Sequence, residues 1–488
     1  MKVMEISFSN ESKKYYSLII CLFKKMTFQK HILVISLFVF SLKIYSQEYE
    51  YGRGILLDES LYLNSPKSAP LLRGDFVNLP DSFSIKNFIP IPGSQGPMAT
   101  CSGWACAYSG RTTLEAIVNN WNKGIINTNV FSPSFVYNQI KKSPSCDDGA
   151  SLIEALDVLK NYGSLRLLDF EYSCDKQVTF DDRENAKKYK IKDFREIAYR
   201  TDLNKTLKVK KSLVENKPVV IAIDCPYSFN YAKEIWTPDS TDYKYWEQGH
   251  ALTVVSYNDQ KFGGAFEVLN SWGKDWGIDG LTWIKYSDFE FFCKYAFELI
   301  GNPPDNAKTK ISGSLKFILD NGTAMESEFN GKYFKMREKY TSGSRFELFL
   351  SNEQPAYIYA LSSDLTYKVR KLFPFTDKMS ALLPYSHNNL AIPNENSYYV
   401  LDEVTGLSYL IFLYSINEVD INEIIRSIEN SNGSMWERLN RSVKNAIIPK
   451  ETLFSGGKAI YFRNDSPNGE VLIVLIEFNH IKKSGSKK

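Results

Sequence analysis

One histidine and two cysteines are the residues whose types and spacing could perform nucleophilic chemistry in this chain. The stretch "QGPMATCSGWACAYSG" begins at Gln95 and carries Cys101 and Cys106. A thiolate is a strong nucleophile, but near neutral pH a thiol needs a neighbouring base to form it. The chain has 4 histidines, and only His250 lies in the same region of the sequence as these cysteines. His250 is therefore the candidate base.

Cys101 is better placed than Cys106 to act as the nucleophile. The apolar residues that follow it recur at the three-and-four spacing of an amphipathic helix, which we expect to stop near Gly124. Cys101 falls at the N-terminal end of that helix, where unpaired backbone N–H groups favour a thiolate and an imidazolium would lower the pKa further. Cys106 lies inside the helix and is predicted to be a core residue, as free cysteines commonly are.

Asn270 is the residue that we expect beside His250. The strand "HALTVVSY" begins at His250, the strand "AFEVLN" ends at Asn270, and turn residues lie between them. With a turn centred near Gln260, paired residues have numbers that sum to about 520, which sets His250 opposite Asn270. A carboxamide in that place can hold the imidazole in the tautomer and orientation that a thiolate partner needs.

The elements that must position these residues change character along the chain. Before the histidine, Ser151 can cap a helix, Glu154 completes a capping box, and Gly163 can end it. After about Lys217 the runs "PVVIAID", "ALTVVSY", "AFEVLN" and "LTWIKY" alternate with turn residues, as strands do. A helical first part followed by a stranded second part predicts an α+β fold.

Four blocks of this sequence resemble the papain family (C1) of cysteine peptidases. They are "QGPMATC", the wall loop and helix "CDDGASLIEALDVLKNYG" in the form of bacterial members, "GHA", and "NSWGKDWGIDG", in the order that the family has. The resemblance covers roughly 79–301. It implies a papain-like two-lobed fold with a helical left lobe and a β-barrel-like right lobe.

The resemblance also implies a role for each matched residue. Cys101 would be the nucleophile and His250 the general base and acid, with Asn270 orienting His250. The Gln95 side chain and the Cys101 backbone N–H would form the oxyanion hole. The reaction implied is attack on a peptide carbonyl, formation of a thioester and its hydrolysis.

Three further residues are implied to contact the substrate. Gly149 would pair its backbone with an extended peptide, Asp148 stands where the family has glycine, and Trp272 would shield the bond between His250 and Asn270. Ordinary core packing explains Trp272 almost as well, and a plain turn explains Gly149.

The cysteines suggest one disulfide. The family often has a cysteine three residues after the glutamine, and Met98 occupies that position here. Our hypothesis is that Cys146 pairs with Cys174 instead, since both lie near the wall loop.

The N-terminus predicts an exported protein. Basic residues precede an apolar run from Ile32 to Leu42 that is too short to span a bilayer comfortably. This pattern is typical of a secretory signal with cleavage after Ser46, and an uncleaved N-terminal anchor is the alternative. The predicted domains are a leader with signal peptide (1–46), a linker or short pro-segment (47–78), a papain-like domain (79–301), a linker (302–311) and a separate β-rich C-terminal domain (312–488).

The C-terminal region holds several strand-like runs and one helical stretch, "DINEIIRSIENSNGSMWERLNRSVKNAI". The segments "YIYALS", "LFPF" and "IPNENSYYVLDEVTG" resemble a domain of unknown function that is appended to bacterial peptidases. That resemblance implies an accessory role, in surface binding or regulation. The long inhibitory propeptide usual in the papain family is not matched, so latency would have to come from elsewhere.

The sequence thus predicts an exported papain-like cysteine peptidase that acts on a peptide or protein substrate. The alternative is a protein in which the C-terminal module binds a surface or partner, with a peptidase domain that is regulated, inactive or a transpeptidase. A net charge of +3, from 59 basic and 56 acidic residues, indicates no nucleic-acid partner. No membrane contact is expected beyond the leader. No metal or organic cofactor is expected, because no cysteine and histidine cluster has zinc-ligand spacing.

Overall fold

The computed structural model describes residues 51–245, 248–303, 310–447, 452–465 and 468–482. The predicted leader, and most of the predicted linker over 302–311, lie outside these ranges. Among the helices in the described ranges, none is both long and apolar enough to cross a membrane. The described residues from Gly52 onward belong to one unit.

A central helix, α2, begins at Cys101 and continues through a π-helical segment to Val118. Its parts are Cys101–Gly103, Trp104–Arg111 and Thr112–Val118. The predicted end near Gly124 is wrong, because Asn120 takes a left-handed conformation (φ 49°) and Asn122 caps a separate helix. The other helices are α1 (Glu59–Tyr62), α3 (Lys123–Thr128), α4 (Pro133–Tyr137), α5 (Leu152–Asn161), α6 (Phe180–Ala186), α7 (Lys205–Val214), α8 (Tyr286–Phe292), α9 (Ile421–Asn430) and α10 (Met435–Ser442).

Helix α5 confirms the capping prediction. The Ser151 hydroxyl accepts from the Glu154 backbone N–H at 3.2 Å, and the Glu154 carboxylate accepts from the Ser151 N–H at 3.2 Å. Gly163, at φ +82°, ends the helix in a conformation that favours glycine. The helix positions the wall loop that precedes it, because Ser151 directly follows Gly149 and Ala150.

The strands of the first sheet carry the predicted base. They pair in the order β2, β8, β3, β5, β6, β7, β4, with β1 also on β5. Their bounds are β1 (Ser82–Ser84), β2 (Asp193–Tyr199), β3 (Val219–Cys225), β4 (Ile235–Trp236), β5 (Gln248–Asn258), β6 (Ala265–Leu269), β7 (Leu281–Lys285) and β8 (Cys293–Ile300). Helix α2 packs on this sheet: Cys106 is fully buried with Val220 and Phe297, which confirms that Cys106 belongs to the core.

The predicted register of the β5 and β6 hairpin is wrong. Thr253 pairs with Leu269 and, beyond an irregularity, Tyr257 pairs with Phe266, so the pairs do not follow the predicted sum. The turn lies further along the chain than expected, and the irregularity adds a residue on β5. In the sheet His250 pairs with Ile223 of β3, and Asn270 lies just beyond the end of β6.

The C-terminal region consists of two further sheets. One has the order β10, β11, β21, β18, β13, β14, with β15 on β13, and the other has the order β16, β12, β9, β20, β19, with β17 on β12. The bounds are β9 (Ile311–Leu319), β10 (Ser327–Phe329), β11 (Phe334–Thr341), β12 (Arg345–Asn352), β13 (Ala356–Asp364), β14 (Arg370–Phe373), β15 (Leu382–Leu383), β16 (Asn388–Ile392), β17 (Tyr399–Val400), β18 (Gly406–Ser415), β19 (Leu453–Ser455), β20 (Ile460–Asn464) and β21 (Val471–Ile481).

A shared core holds these two sheets together. Phe317 of one sheet packs against Phe412 of the other, with ring centroids 6.1 Å apart. The opposite face of the sheet that contains β18 packs on α9 and α10. The single helical stretch predicted there is wrong, because Gly433 adopts φ 94° and separates two helices.

A buried ion pair lies where the first sheet meets the C-terminal region. Arg195 of β2 contacts Glu298 of β8, and both side chains are almost fully buried. Arg195 Nη1 also donates to the Leu382 carbonyl at 3.2 Å, and the Tyr385 hydroxyl donates to the Glu298 carboxylate. The polar groups of this pair are thus satisfied partly by residues beyond 311, which joins the two regions.

Removing one partner of this pair should destabilise the protein. We expect Glu298→Ala to lower the free energy of unfolding by about 3 kcal/mol or more, because Arg195 would remain buried and uncompensated. Glu184→Ala, which removes an exposed pair with Lys187, is the control and should cost less than about 0.5 kcal/mol. Urea titration of both variants measures the difference, and equal midpoints would contradict the role of the buried pair.

Candidate functional site

Cys101 lies at the start of α2 and faces the start of β5. Its side chain is fully buried and belongs to the same core cluster as Ala251. Ala251 directly follows His250 in β5. The packing of α2 on the first sheet therefore brings the predicted nucleophile next to the strand that carries the predicted base.

His250 and Asn270 are hydrogen-bonded through their side chains. Nε2 of His250 lies 2.7 Å from Oδ1 of Asn270, which also accepts from the Ser271 N–H. Since a carboxamide oxygen only accepts, Nε2 must donate, and the lone pair of a neutral ring lies on Nδ1. Nδ1 is buried and has no hydrogen-bond partner among the described residues. The ring of Trp272 stacks on His250 with centroids 4.6 Å apart, in agreement with the predicted shielding position.

Gln95 is held rigidly beside these residues. Its Oε1 accepts from the Ser271 hydroxyl at 2.6 Å, and its Nε2 donates to the Met98 carbonyl at 2.7 Å. The second N–H of Nε2 remains to serve another acceptor. Ser271 is a site residue that the sequence reasoning missed. It follows Asn270 directly, so one short segment fixes both the imidazole and the glutamine.

The wall loop forms the other side of the cleft. Gly149 is buried at φ +71°, while Asp148 is exposed to solvent. A disulfide joins Cys146 to Cys174, which confirms the pairing hypothesis. The loop is thereby fixed to a segment that follows α5.

An N-terminal segment, residues 52–57, runs through the cleft between the wall loop and the sheet, and we call it the strap. Its backbone is hydrogen-bonded on both sides. The bonds are Trp272 Nε1 to the Gly52 carbonyl (2.9 Å), the Ile55 N–H to the Gly249 carbonyl (3.1 Å), the Ala150 N–H to the Gly54 carbonyl (2.9 Å) and the Leu56 N–H to the Ala150 carbonyl (3.1 Å). Sequence reasoning assigned these residues only to a linker or short pro-segment. The glycines of "GRGILL" are the signal that could have identified a close approach.

The strap lies so close to its neighbours that a residue with a side chain could not replace Gly52 in the strap or Gly149 in the wall loop. A Cβ on Gly52 would lie 2.1 Å from the Met98 carbonyl oxygen and 2.9 Å from Gln95 Nε2. On the wall side, a Cβ on Gly149 would lie 2.1 Å from the Gly54 carbonyl oxygen. No further peptide can occupy this part of the cleft while the strap is there.

Burial disfavours the charged forms of the candidate catalytic pair. Burial raises the pKa of Cys101 to about 12. Burial lowers the pKa of His250 to about 3, an effect that the bond to Asn270 opposes and the charge of Arg53 reinforces. The prediction of a thiolate stabilised by an imidazolium is therefore wrong for the closed cleft, because desolvation outweighs the helix N-terminus.

The chain beyond the strap is attached to both regions of the protein. The Tyr62 hydroxyl donates to the Leu56 carbonyl at 2.8 Å. Further along, the Lys67 N–H donates to the Lys378 carbonyl at 2.7 Å, and Lys67 Nζ pairs with Glu196 at 2.5 Å. The strap is thus tethered to the β-rich region as well as to the first sheet.

Comparison with known proteins matches this part of the chain to one family. The model described as papain family cysteine protease matches residues 101–297. A viral cathepsin from Adoxophyes honmai nucleopolyhedrovirus is 28% identical over 215 residues, which span 42% of this chain and 57% of the cathepsin. An uncharacterized peptidase C1-like protein from Acanthamoeba polyphaga mimivirus is 25% identical over 223 residues, which span 42% of this chain and 68% of that protein.

A solved structure with a similar chain path is xylellain, a cysteine protease from Xylella fastidiosa. It is 20% identical, with a TM-score of 0.43, and the alignment covers 52% of this chain and 96% of xylellain.

Displacing the strap should expose Cys101. We expect Gly52→Val to raise the rate of Cys101 alkylation at pH 7.5 by at least about tenfold, because the new side chain clashes with backbone atoms at Met98 and removal of the strap rehydrates the thiol. Gly74→Val is the matched control, since a Cβ there meets nothing within 4 Å. Mass mapping after iodoacetamide treatment measures both rates, and equal labelling of the two variants would contradict a strap that closes the cleft.

Acid should favour opening of the strap. The pKa of His250 is about 3 in the closed cleft and near 6.5 when the ring is solvated, so the open form binds the proton more tightly and gains population as the pH falls below 6.5. At pH 5 we expect hydrogen exchange of the strap amides, corrected for intrinsic rates, to be roughly tenfold or more faster than at pH 7.5. His250→Gln should remove this dependence, and equal protection of the unmodified chain at both pH values would refute it.

Proposed function

We propose that the protein hydrolyses peptide bonds by covalent catalysis from Cys101, since residues 101–297 match the papain family cysteine protease model. The observation that carries the proposal is the 2.7 Å bond between His250 Nε2 and Asn270 Oδ1. This bond puts the ring proton on Nε2 and leaves Nδ1 free to accept a proton from a thiol. Such an arrangement, with Cys101 on the neighbouring helix end, serves nucleophilic catalysis.

The reaction follows from the roles of these groups. Nδ1 of His250 takes the proton of the Cys101 thiol as the sulfur attacks the peptide carbonyl, and it then gives that proton to the departing amine. A water activated by the same nitrogen hydrolyses the thioester. The Cys101 backbone N–H and Gln95 Nε2 stabilise the negative oxygen of each tetrahedral intermediate, and one such donor is worth about 3 kcal/mol.

We propose that the strap makes the enzyme latent. It occupies the space of a substrate and keeps the pKa of Cys101 high, and the described part of 47–78 thus acts as a short pro-segment. Displacing it rehydrates Cys101 and His250, so that the thiolate and imidazolium can form as a pair. The tether through Lys67 means that activation requires movement or cleavage of this segment.

The substrate is a peptide or protein that reaches the enzyme outside the cytoplasm. Export is supported by the basic and apolar pattern of the N-terminal sequence. Gly149 and Ala150 would offer their backbone to an extended peptide, as Ala150 does to the strap. Asp148, exposed at the rim, would favour basic or neutral residues nearby.

Substitution of the oxyanion donor tests the function most specifically. In the full chain carrying Gly52→Val, Gln95→Ala should lower kcat for a peptide by about 100-fold or more with little change in KM, because Nε2 acts on the transition state. Cys101→Ala should abolish hydrolysis. Gln354→Ala, at an exposed position of the β-rich region, is the control and should leave kcat unchanged. Hydrolysis that survives in Cys101→Ala would sink the proposal.

A further inference from the structure

The side chain of Arg53 occupies a pocket on the sheet side of the cleft. It is only 9% exposed, although an arginine is normally solvated or paired with a carboxylate. Its Nη2 donates to Asn230 Oδ1 at 2.6 Å, and its Nε donates to the Cys225 sulfur at 3.3 Å. The guanidinium also lies over the ring of Trp272, 5.4 Å from the centroid. Three different groups therefore converge on one buried cation.

Two carboxylates, Asp224 and Asp242, act electrostatically on Cys225, one of the residues that the guanidinium contacts. Asp242 is buried, and its charge, together with that of Asp224, raises the pKa of the Cys225 thiol in addition to the larger effect of burial. Asp224 is paired with Lys294, whereas Asp242 has no basic side chain within ion-pair distance among the described residues.

The pocket lies on the side of the leaving group. Trp272, which the guanidinium covers, stacks on His250, and His250 is the group that delivers a proton to the departing amine. A side chain in this pocket therefore belongs to the residue that follows the scissile bond.

We infer that this pocket is a subsite for a guanidinium, so that the preferred substrates carry arginine directly after the scissile bond. The inference rests on the proposed function, since it describes the substrate of the same site. When the strap leaves, Arg53 leaves with it, and the guanidinium contacts to Asn230 Oδ1 and to the ring of Trp272 are lost. A substrate arginine restores each contact, whereas an apolar side chain leaves the partly buried Asn230 Oδ1 without this donor, which is a basis for discrimination.

The test compares internally quenched peptides that differ only in the residue after the scissile bond. With the full chain carrying Gly52→Val, we expect kcat/KM for the arginine peptide to exceed that for the norleucine peptide by at least about tenfold. Asn230→Leu should bring the ratio of kcat/KM for the arginine peptide to kcat/KM for the norleucine peptide close to one. Asn230→Asp should raise this ratio, because a carboxylate strengthens the bond to the guanidinium. These opposite shifts distinguish recognition from a general loss of folding.

The outcomes separate the two proposals. Hydrolysis of both peptides at equal rates, unaffected by either substitution of Asn230, would overturn the subsite while leaving the peptidase function intact. Absence of hydrolysis with every peptide, in a variant whose Cys101 is alkylated readily, would overturn both.

A second readout needs no substrate: in the chain without Gly52→Val, Asn230→Asp should slow alkylation of Cys101 and Arg53→Met should speed it. Unchanged alkylation in both would contradict the pocket's hold on the guanidinium.

Discussion

Burial of Cys101 and His250 beneath the strap is the constraint on which the rest of the site depends. An isolated charge in a dry interior costs several kcal/mol, so both groups stay neutral when water is excluded. The helix N-terminus at Cys101 favours a thiolate, and the bond from His250 to Asn270 favours an imidazolium. Neither effect outweighs desolvation here. Latency of this kind acts through desolvation, while the bond between His250 Nε2 and Asn270 Oδ1 that the proposed reaction requires is already in place.

The strap can stay in place because the rest of the fold holds its continuation. Lys67 contacts Glu196 of the first sheet and the backbone near Lys378 of the β-rich region. The buried pair of Arg195 and Glu298, bonded to Tyr385, fixes these two regions against each other. The β-rich region thus helps to anchor the continuation of the strap, through the Lys378 carbonyl that accepts from the Lys67 N–H.

Local patterns predicted the parts of the site that depend on local interactions. The capping box at Ser151 and the helix start at Cys101 are set by neighbours in sequence, and the ordered blocks indicated which residues would meet. The register of His250 and Asn270 was wrong because it assumed an unbroken ladder, whereas a long turn and an irregularity shift the pairs. The two residues meet through side chains beyond the last pair. The strap was missed because its contacts with Gly249 and Ala150 join segments far apart in the chain, and only its glycines hint at them.

The most direct measurement of this account is the protonation state of His250 in solution. Nitrogen-15 chemical shifts of its ring, assigned with His250→Gln, can be followed from pH 4 to pH 8 in the unmodified chain and in Gly52→Val. We expect a neutral ring at pH 7 in the unmodified chain, with an imidazolium gaining population only at lower pH as the strap opens, and an imidazolium already near neutral pH in Gly52→Val. An imidazolium in the unmodified chain at pH 7 would contradict it, because the pair would then be charged while the cleft is closed.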